Sequence, residues 1–303
     1  MSQPFRGIFV IAQTPFSVDG ARVLWDDFER EADWVVRAGA HGFVWPVMAS
    51  EFTVLSTAER VKGMRRAVQS VGGRVPVIAG VADSSQAGAV ALAEAAADAG
   101  ADAVIAMPPW ATKMNDRALF EGYYRAIADA SGLPVVVQNV GAPLGSSLPG
   151  AFVVDLCCQI PLVQYLKEEK IPQGHSVSEV LALAGPEVKG VFSGAHGYWL
   201  MSEYRRGVAG NMPGAHLADV LAQVWDLLEA GDEATARSLH NALTILESIV
   251  RGMPAEQVHK EILVRRGVFT HAVCRNTALV PLDDVDRTEL AYGLSQVEPF
   301  FRL

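Results

Sequence analysis

The sequence predicts a (β/α)8 barrel followed by a C-terminal helical region, on three observations. Short apolar runs alternate with amphipathic helical stretches over most of the 303 residues. The runs are continuously apolar, as parallel strands buried on both faces require. Eight strands, each followed by a helix, are complete by about residue 230, and eight pairs close a barrel.

The first strand is read at 7–12, with a helix at 25–38. Ala38-Gly39-Ala40 reads as a helix stop leading into strand two at 42–47. A helix at 57–71 precedes strand three at 75–79, and a helix at 85–99 ends in Ala99-Gly100-Ala101 before strand four at 103–106. A helix at 116–131 and strand five at 135–138 follow. Strand six is read at 163–167, a helix at 176–184 and strand seven at 190–193. Strand eight, 207–211, carries the weakest pattern; a helical stretch then runs from Pro213 to about Glu229. Further helices over 231–250, 254–266 and 283–298 form the C-terminal region, so the chain divides into a barrel at 1–230 and helices at 231–303. A doubly wound open sheet is the competing architecture. Strand one is not followed by Gly-x-Gly-x-x-Gly, which weakens its dinucleotide-binding version.

Composition narrows the function. Half of the residues are hydrophobic and 19% are charged, which supports a large core and argues against disorder. The formal charge of −9 comes without a basic stripe, so nucleic acid and anionic membrane are excluded as expected partners. No apolar run reaches the roughly 18 residues of a membrane span, and Met1-Ser2-Gln3-Pro4 does not open a signal peptide. Cys157, Cys158 and Cys274 form no disulfide framework, and the adjacent pair reads as small hydrophobes of a helix, which suits the cytoplasm.

The chemistry is read at the carboxyl ends of the strands, where barrels of this class build their sites. These ends are Met48-Ala49-Ser50-Glu51, Met107-Pro108-Pro109-Trp110, Gln138-Asn139, Lys167-Glu168-Glu169 and Ser193-Gly194-Ala195-His196. Lys167 is the only lysine among them. A lysine in a partly apolar pocket loses some of its preference for the charged form and can attack a ketone to form a Schiff base. Positions two apart in a strand share a face, so Lys167 and Glu169 project into the same space, where a carboxylate can move the protons of imine chemistry. Glu168 faces the other way. The competing reading of Lys167 is a snorkelling surface ion pair, and that of Glu169 a solvated charge paired with Lys170.

These residues resemble the dihydrodipicolinate synthase / N-acetylneuraminate lyase family of class I aldolases and dehydratases over nearly the whole chain. The resemblance is carried by Thr14-Pro15-Phe16 with Asp19-Gly20, Val77-Ile78-Ala79-Gly80-Val81, Gly100-Ala101-Asp102-Ala103, Pro108-Pro109-Trp110, Leu166-Lys167-Glu168, Ser193-Gly194 and Lys260-Glu261-Ile262-Leu263. It implies a (β/α)8 barrel, a homotetramer or dimer, and a small 2-keto acid bound through Lys167. It implies no metal or organic cofactor, because the imine supplies the electrophile.

Three departures redirect the expected activity. The family's Tyr-Asn-Val-Pro at the end of strand five is here Gln138-Asn139-Val140-Gly141. An amide has no useful pKa near neutrality, so Gln138 orients rather than transfers protons. Residues 141–148 hold no arginine for a second carboxylate, and the threonine pair of the usual strand-two loop is Met48-Ala49. The Gln138 and Lys-x-Glu combination resembles the branch that dehydrates 2-keto-3-deoxy sugar acids such as 2-keto-3-deoxyarabonate. That resemblance implies Lys167 as Schiff-base lysine, Glu169 as acid/base and Gln138 as its orienting partner. Ser50 and the backbone N–H groups of Ala49–Glu51 are expected to bind the substrate carboxylate, since such a loop suits an anion.

Trp110, Gly194, Ala195 and His196 are expected to line the substrate site, against default roles in packing or as plain loop polarity. Glu51 reads as a loop or interface residue at the same site. The remaining histidines, His41, His175, His216, His240, His259 and His271, are scattered without metal-ligand spacing, and Ser146-Ser147 resembles no nucleophile elbow. Two other activities compete with dehydration: a retro-aldol lyase releasing pyruvate, and a non-catalytic 2-keto-acid-binding relic that kept the fold.

Overall fold

Eight parallel strands follow one another in chain order around a closed barrel. They are β1 (Gly7–Ile11), β2 (Gly42–Trp45), β3 (Val77–Gly80), β4 (Ala103–Ala106), β5 (Val135–Asn139), β6 (Val163–Glu168), β7 (Gly190–Ser193) and β8 (Gly210–Asn211). The helices that alternate with them are α1 (Trp25–Arg37), α2 (Thr57–Val71), α3 (Gln86–Ala99), α4 (Arg117–Ser131), α5 (Gly150–Gln159), α6 (Gln173–Leu183), α7 (Leu200–Arg206) and α8 (Ala218–Glu229). The C-terminal helices are α9 (Glu233–Val250), α10 (Ala255–Arg265) and α11 (Asp284–Val297). The computed structural model describes residues 4–110, 116–140, 147–276 and 279–303. Most of the 141–148 stretch, with Gly141 and Ser146, therefore lies outside the described residues. Among the described residues, no helix is long and apolar enough to cross a membrane.

The chain folds as two compact units, one of residues Met1–Arg6 and Pro76–Met212, the other of Gly7–Val75 and Pro213–Leu303. The C-terminal helices share a unit with β1, β2, α1, α2 and α8.

The first unit holds β3 to β8 and the helices between them. Its strands are apolar because both faces are covered: Val135, Val136, Val137, Val163 and Leu166 are fully buried. The register sets Gln138 opposite Lys167 and Asn139 opposite Glu168, and then Lys167 opposite Phe192 and Glu168 opposite Ser193. Tyr165, two residues before Lys167 and on its face, stacks on Phe5 at 4.9 Å between ring centroids. Ser85 and Asp116 cap α3 and α4, each accepting a backbone N–H of the first turn, a contribution of about 1 kcal/mol apiece. Gly100 and Gly132 end those helices in the left-handed conformation.

Strand eight is shorter than the pattern predicts. Gly207 ends α7 at φ 94°, and only Gly210 and Asn211 pair with β7. The apolar Val208 and Ala209 belong to the buried turn that follows the cap. Helix α6 starts at Gln173, three residues before the position read from sequence, because Pro172 precedes its first turn.

In the second unit, β1 pairs with β2, and Ile11 N–H donates to Pro213 O at 2.7 Å, just after β8. Thr14 and Trp45 bind side chain to side chain at 3.0 Å. Lys260 of α10, fully buried, pairs with Glu51, donates to Val273 O at 2.8 Å and lies 4.4 Å from the Phe16 ring centroid. The same Glu51 accepts from the backbone N–H groups of Arg275 and Asn276 at 2.9 and 3.1 Å. These bonds hold Glu51 at φ 57°, a left-handed backbone that a residue with a Cβ adopts at a cost.

Candidate active site

Three predicted side chains converge in the first unit. Lys167 Nζ lies 2.9 Å from Glu169 Oε2, and Gln138 Nε2 donates to the same oxygen at 3.0 Å. The convergence follows from local geometry. Lys167 and Gln138 are register partners on neighbouring strands, so their side chains share a face. The pairing runs one residue past β6, where Glu169 N–H donates to Asn139 O at 2.9 Å, and the period of two returns Glu169 to the face of Lys167. Lys167 is 3% exposed and Gln138 2%, while the Glu169 side chain retains 19%. Of the three, the carboxylate therefore has the most access to a small molecule. Its ion-pair partner is Lys167 rather than Lys170.

Glu169 also rests against Gly194. A Cβ built on Gly194 would lie 2.1 Å from Glu169 Oε1, so the carboxylate occupies space that any other residue at 194 would claim. Ala195 and His196 follow in a short 3-10 turn with φ 50° and 51°, a strained pair of left-handed residues at the end of β7. Trp110 lies partly exposed after β4, at the edge of the described residues.

The opposite face of β6 carries a separate network. Glu168 is fully buried and accepts from Asn139 Nδ2 at 2.8 Å, Lys170 N–H at 3.0 Å and Ser176 Oγ at 3.0 Å. Burial pushes its carboxyl up, and those three bonds oppose the rise. Asn139 holds Leu148 from both sides, accepting its N–H at 2.8 Å and donating to its carbonyl at 3.0 Å. Glu168 thus anchors the connection that bears Glu169.

Behind β7 lies a cluster that the sequence did not suggest. Gln173 Nε2 donates to the buried Glu203 at 2.6 Å, and Asn211 Nδ2 donates to Ser193 Oγ and Gly194 O, both at 2.8 Å. Glu203 directly precedes Tyr204-Arg205-Arg206 in the sequence. Only the packing of α6 against α7 encloses it.

In the second unit, the strand-two loop is internally satisfied. The Ser50 hydroxyl donates to Ala12 O at 2.6 Å and accepts from Val47 N–H at 3.2 Å. Its carbonyl accepts from Thr14 Oγ1 at 2.6 Å, and the Ser50 and Glu51 amides close the turn on Val47 and Met48. Ala49 sits in the middle of this turn, partly exposed. The histidines are less scattered than their spacing suggests: His216 and His259 stack at 3.9 Å between centroids, and His216 Nε2 lies 3.2 Å from Glu247 Oε1. Forty-two residues, with the whole of α8 and α9 among them, separate the two rings, so linear spacing could not reveal the pair.

The closed parallel barrel thus carries a buried lysine and amide and a partly exposed carboxylate at the ends of its fifth and sixth strands. The chain belongs to the dihydrodipicolinate synthetase family, whose model matches residues 4–297. It is 33% identical over 244 residues to a 4-hydroxy-tetrahydrodipicolinate synthase of Acidithiobacillus ferrooxidans, covering 79% of this chain and 81% of the relative. It is 30% identical over 237 residues to the L-2-keto-3-deoxyarabonate dehydratase of Azospirillum brasilense, covering 77% and 76%. Among solved structures, dihydrodipicolinate synthase from Rhodopseudomonas palustris superposes with a TM-score of 0.87 at 25% identity, over 96% of this chain and 97% of that one.

Proposed function

We propose that this chain is a Schiff-base dehydratase of a 2-keto-3-deoxy sugar acid, of the kind represented by 2-keto-3-deoxyarabonate. The observation that carries the reading is the shared oxygen: Glu169 Oε2 meets Lys167 Nζ at 2.9 Å and Gln138 Nε2 at 3.0 Å. A proton carrier thus stands where the family's tyrosine is missing, oriented by an amide that cannot itself titrate. The dehydratase named among the relatives supports the same branch, whereas the absence of an arginine from residues 141–148 weighs against the synthase reaction.

In the proposed reaction Lys167 passes a proton to Glu169 and attacks the C2 ketone. Glu169 returns that proton to the C2 oxygen, whose loss as water leaves a protonated imine, an electron sink, and a carboxylate free to act again. Glu169 takes a proton from C3, and the electron pair moves to form the enamine. The enamine expels the C4 hydroxyl, which leaves as water with the proton that Glu169 returns. Water then hydrolyses the conjugated imine, releasing the dehydrated 2-keto acid and Lys167. Phe192, the fully buried register partner of Lys167, keeps water from one side of the imine. In the strand-two loop, the Ser50 hydroxyl and the Ser50 and Glu51 amides, donors expected for a substrate carboxylate, are already bonded to Ala12, Val47 and Met48.

The test is intact mass after borohydride reduction with pyruvate or a 2-keto-3-deoxypentonate, comparing wild type with Lys167→Ala, alongside product analysis. The reading requires a ligand-sized adduct on wild type alone and a product lighter by one water. Pyruvate release would replace dehydration by retro-aldol cleavage. No adduct in folded protein would remove the imine mechanism.

A further inference from the structure

The β7–β8 ladder pairs Ser193 with Asn211 and ends where Met212 N–H donates to Ser193 O at 2.8 Å. Gly194, against which Glu169 rests, is the first residue past β7. The turn that follows is strained: Ala195 and His196 stand at φ 50° and 51°, and Gly197 at 77°. Two successive residues with a Cβ in the left-handed region persist only where their surroundings over-determine them. Asn211, fully buried at the end of β8, reaches the start of this turn. Its Nδ2 donates to Ser193 Oγ and to Gly194 O, both at 2.8 Å. Gly194 O also accepts from Gly197 N–H at 3.2 Å, so the strand end, the turn and the amide meet at one oxygen. A carbonyl can only accept, which fixes the amide nitrogen toward it. Asn211 Oδ1 has no hydrogen bond among the described residues, so the side chain contributes its two N–H donors while a buried acceptor goes unpaired.

We propose that Asn211 is a positioning residue that acts on the reaction through Gly194: its amide pins the Gly194 peptide, and with it the seat on which Glu169 meets Lys167 and Gln138. The proposal rests on the reading of Glu169 as the proton carrier. Asn211 does not face Lys167. Its register partner Ser193 pairs in turn with Glu168, on the face of β6 opposite the lysine, so its influence passes through the backbone. The path is short. Asn211 Nδ2 holds Gly194 O at 2.8 Å, and a Cβ at Gly194 would lie 2.1 Å from Glu169 Oε1. Glu169 Oε2 in turn lies 2.9 Å from Lys167 Nζ and 3.0 Å from Gln138 Nε2. Without the Asn211 donor, the Gly194 carbonyl keeps the longer bond to Gly197 N–H, and the strained turn can relax by rotating the Gly194 peptide. Rotation brings backbone atoms into the space that Glu169 fills, and the carboxylate must yield. Proton transfer is sensitive to such a shift, because it needs the carrier within hydrogen-bonding reach of the reacting atoms.

The test is Asn211→Leu in the full chain, which keeps the size of the side chain and removes both donors; Asn211→Asp, of the same shape, serves if that variant does not fold. In turnover of a 2-keto-3-deoxypentonate, kcat should fall about tenfold, the effect of a carrier displaced by a fraction of an ångström, with KM within about twofold of wild type. Borohydride trapping of Lys167 with pyruvate should persist, since the lysine keeps its place in β6. Combined with Glu169→Gln, Asn211→Leu should add a loss of less than about twofold, because both changes act on one group. A merely structural Asn211 would lower turnover by the same factor in both backgrounds. Equal losses, or turnover of folded Asn211→Leu within about twofold of wild type, would overturn the proposal. A crystal structure of the variant reads the same displacement without activity: the Lys167–Glu169 contact of 2.9 Å should lengthen beyond roughly 3.5 Å, and an unchanged contact would overturn the proposal. Wild type that forms no adduct and no product would instead defeat the proposed function, with that structure still deciding whether Asn211 seats Glu169.

Discussion

Replacing Gly194 by alanine tests how finely Glu169 must be placed. The new Cβ would stand 2.1 Å from Glu169 Oε1, 2.7 Å from Cδ and 2.9 Å from Cγ. An ordinary non-bonded separation is about 3.5 Å, so the carboxylate must retreat by roughly 1.4 Å. The bonds at stake are the contacts of 2.9 Å to Lys167 and 3.0 Å to Gln138. A displacement of about 1 Å in a catalytic group costs on the order of 10²-fold in rate, or about 2.7 kcal/mol. We expect Gly194→Ala to lower kcat for a 2-keto-3-deoxypentonate by that factor, with the lysine still trapped by borohydride and pyruvate. Steady-state kinetics and intact mass measure the two effects separately. The double variant with Glu169→Gln should be little worse than Glu169→Gln alone, because both changes disable one group. Gly194→Ala turnover within threefold of wild type, or fully additive losses, would refute the argument that Glu169 needs this seat.

Three further outcomes follow from the same geometry. Lys260→Ala leaves Glu51 buried without its cation, a loss of about 3–5 kcal/mol that thermal unfolding would show as a fall of roughly 10 °C; Lys260→Met with Glu51→Gln should recover much of it. Burial, with Arg266 adding, pushes the His216 imidazole down to about 3, from an ordinary value near 6.5. The unfolded chain therefore binds a proton that the fold refuses, so stability present above 6.5 is lost as pH falls toward 3, at up to about 1.4 kcal/mol per pH unit. Urea midpoints between pH 7.5 and 4.5 should decline less steeply in His216→Asn than in wild type. Glu168→Ala orphans Asn139, Lys170 N–H and Ser176. It should cost about 2–4 kcal/mol in denaturant unfolding, as losses of buried partners do.

Features that depend on short-range repetition are legible in the amino-acid order alone. Continuous apolar runs located all eight strands, because a strand buried on both faces must be apolar along its length. A period of two placed Lys167 and Glu169 on one face and Glu168 on the other, and the structure keeps both assignments. Resemblance to the family extended the reading to Gln138, whose partnership with Glu169 needs the β5–β6 register that no local pattern encodes. The start of strand eight was misread because Val208 and Ala209 are apolar in a turn for the same reason as in a strand: both are buried.

The long-range pairs come from the packing of the folded chain. Lys260 reaches Glu51 across 209 residues, the His216 and His259 rings meet face to face, and Glu203 lies buried beside the polar Tyr204-Arg205-Arg206. Each depends on which helix faces which, and hydrophobic period does not carry that information: it says that a face is buried, and packing chooses what covers it. The same holds for the candidate site. Sequence supplied a lysine, a carboxylate and an amide, while strand register and the bare Cα of Gly194 brought them within hydrogen-bonding distance.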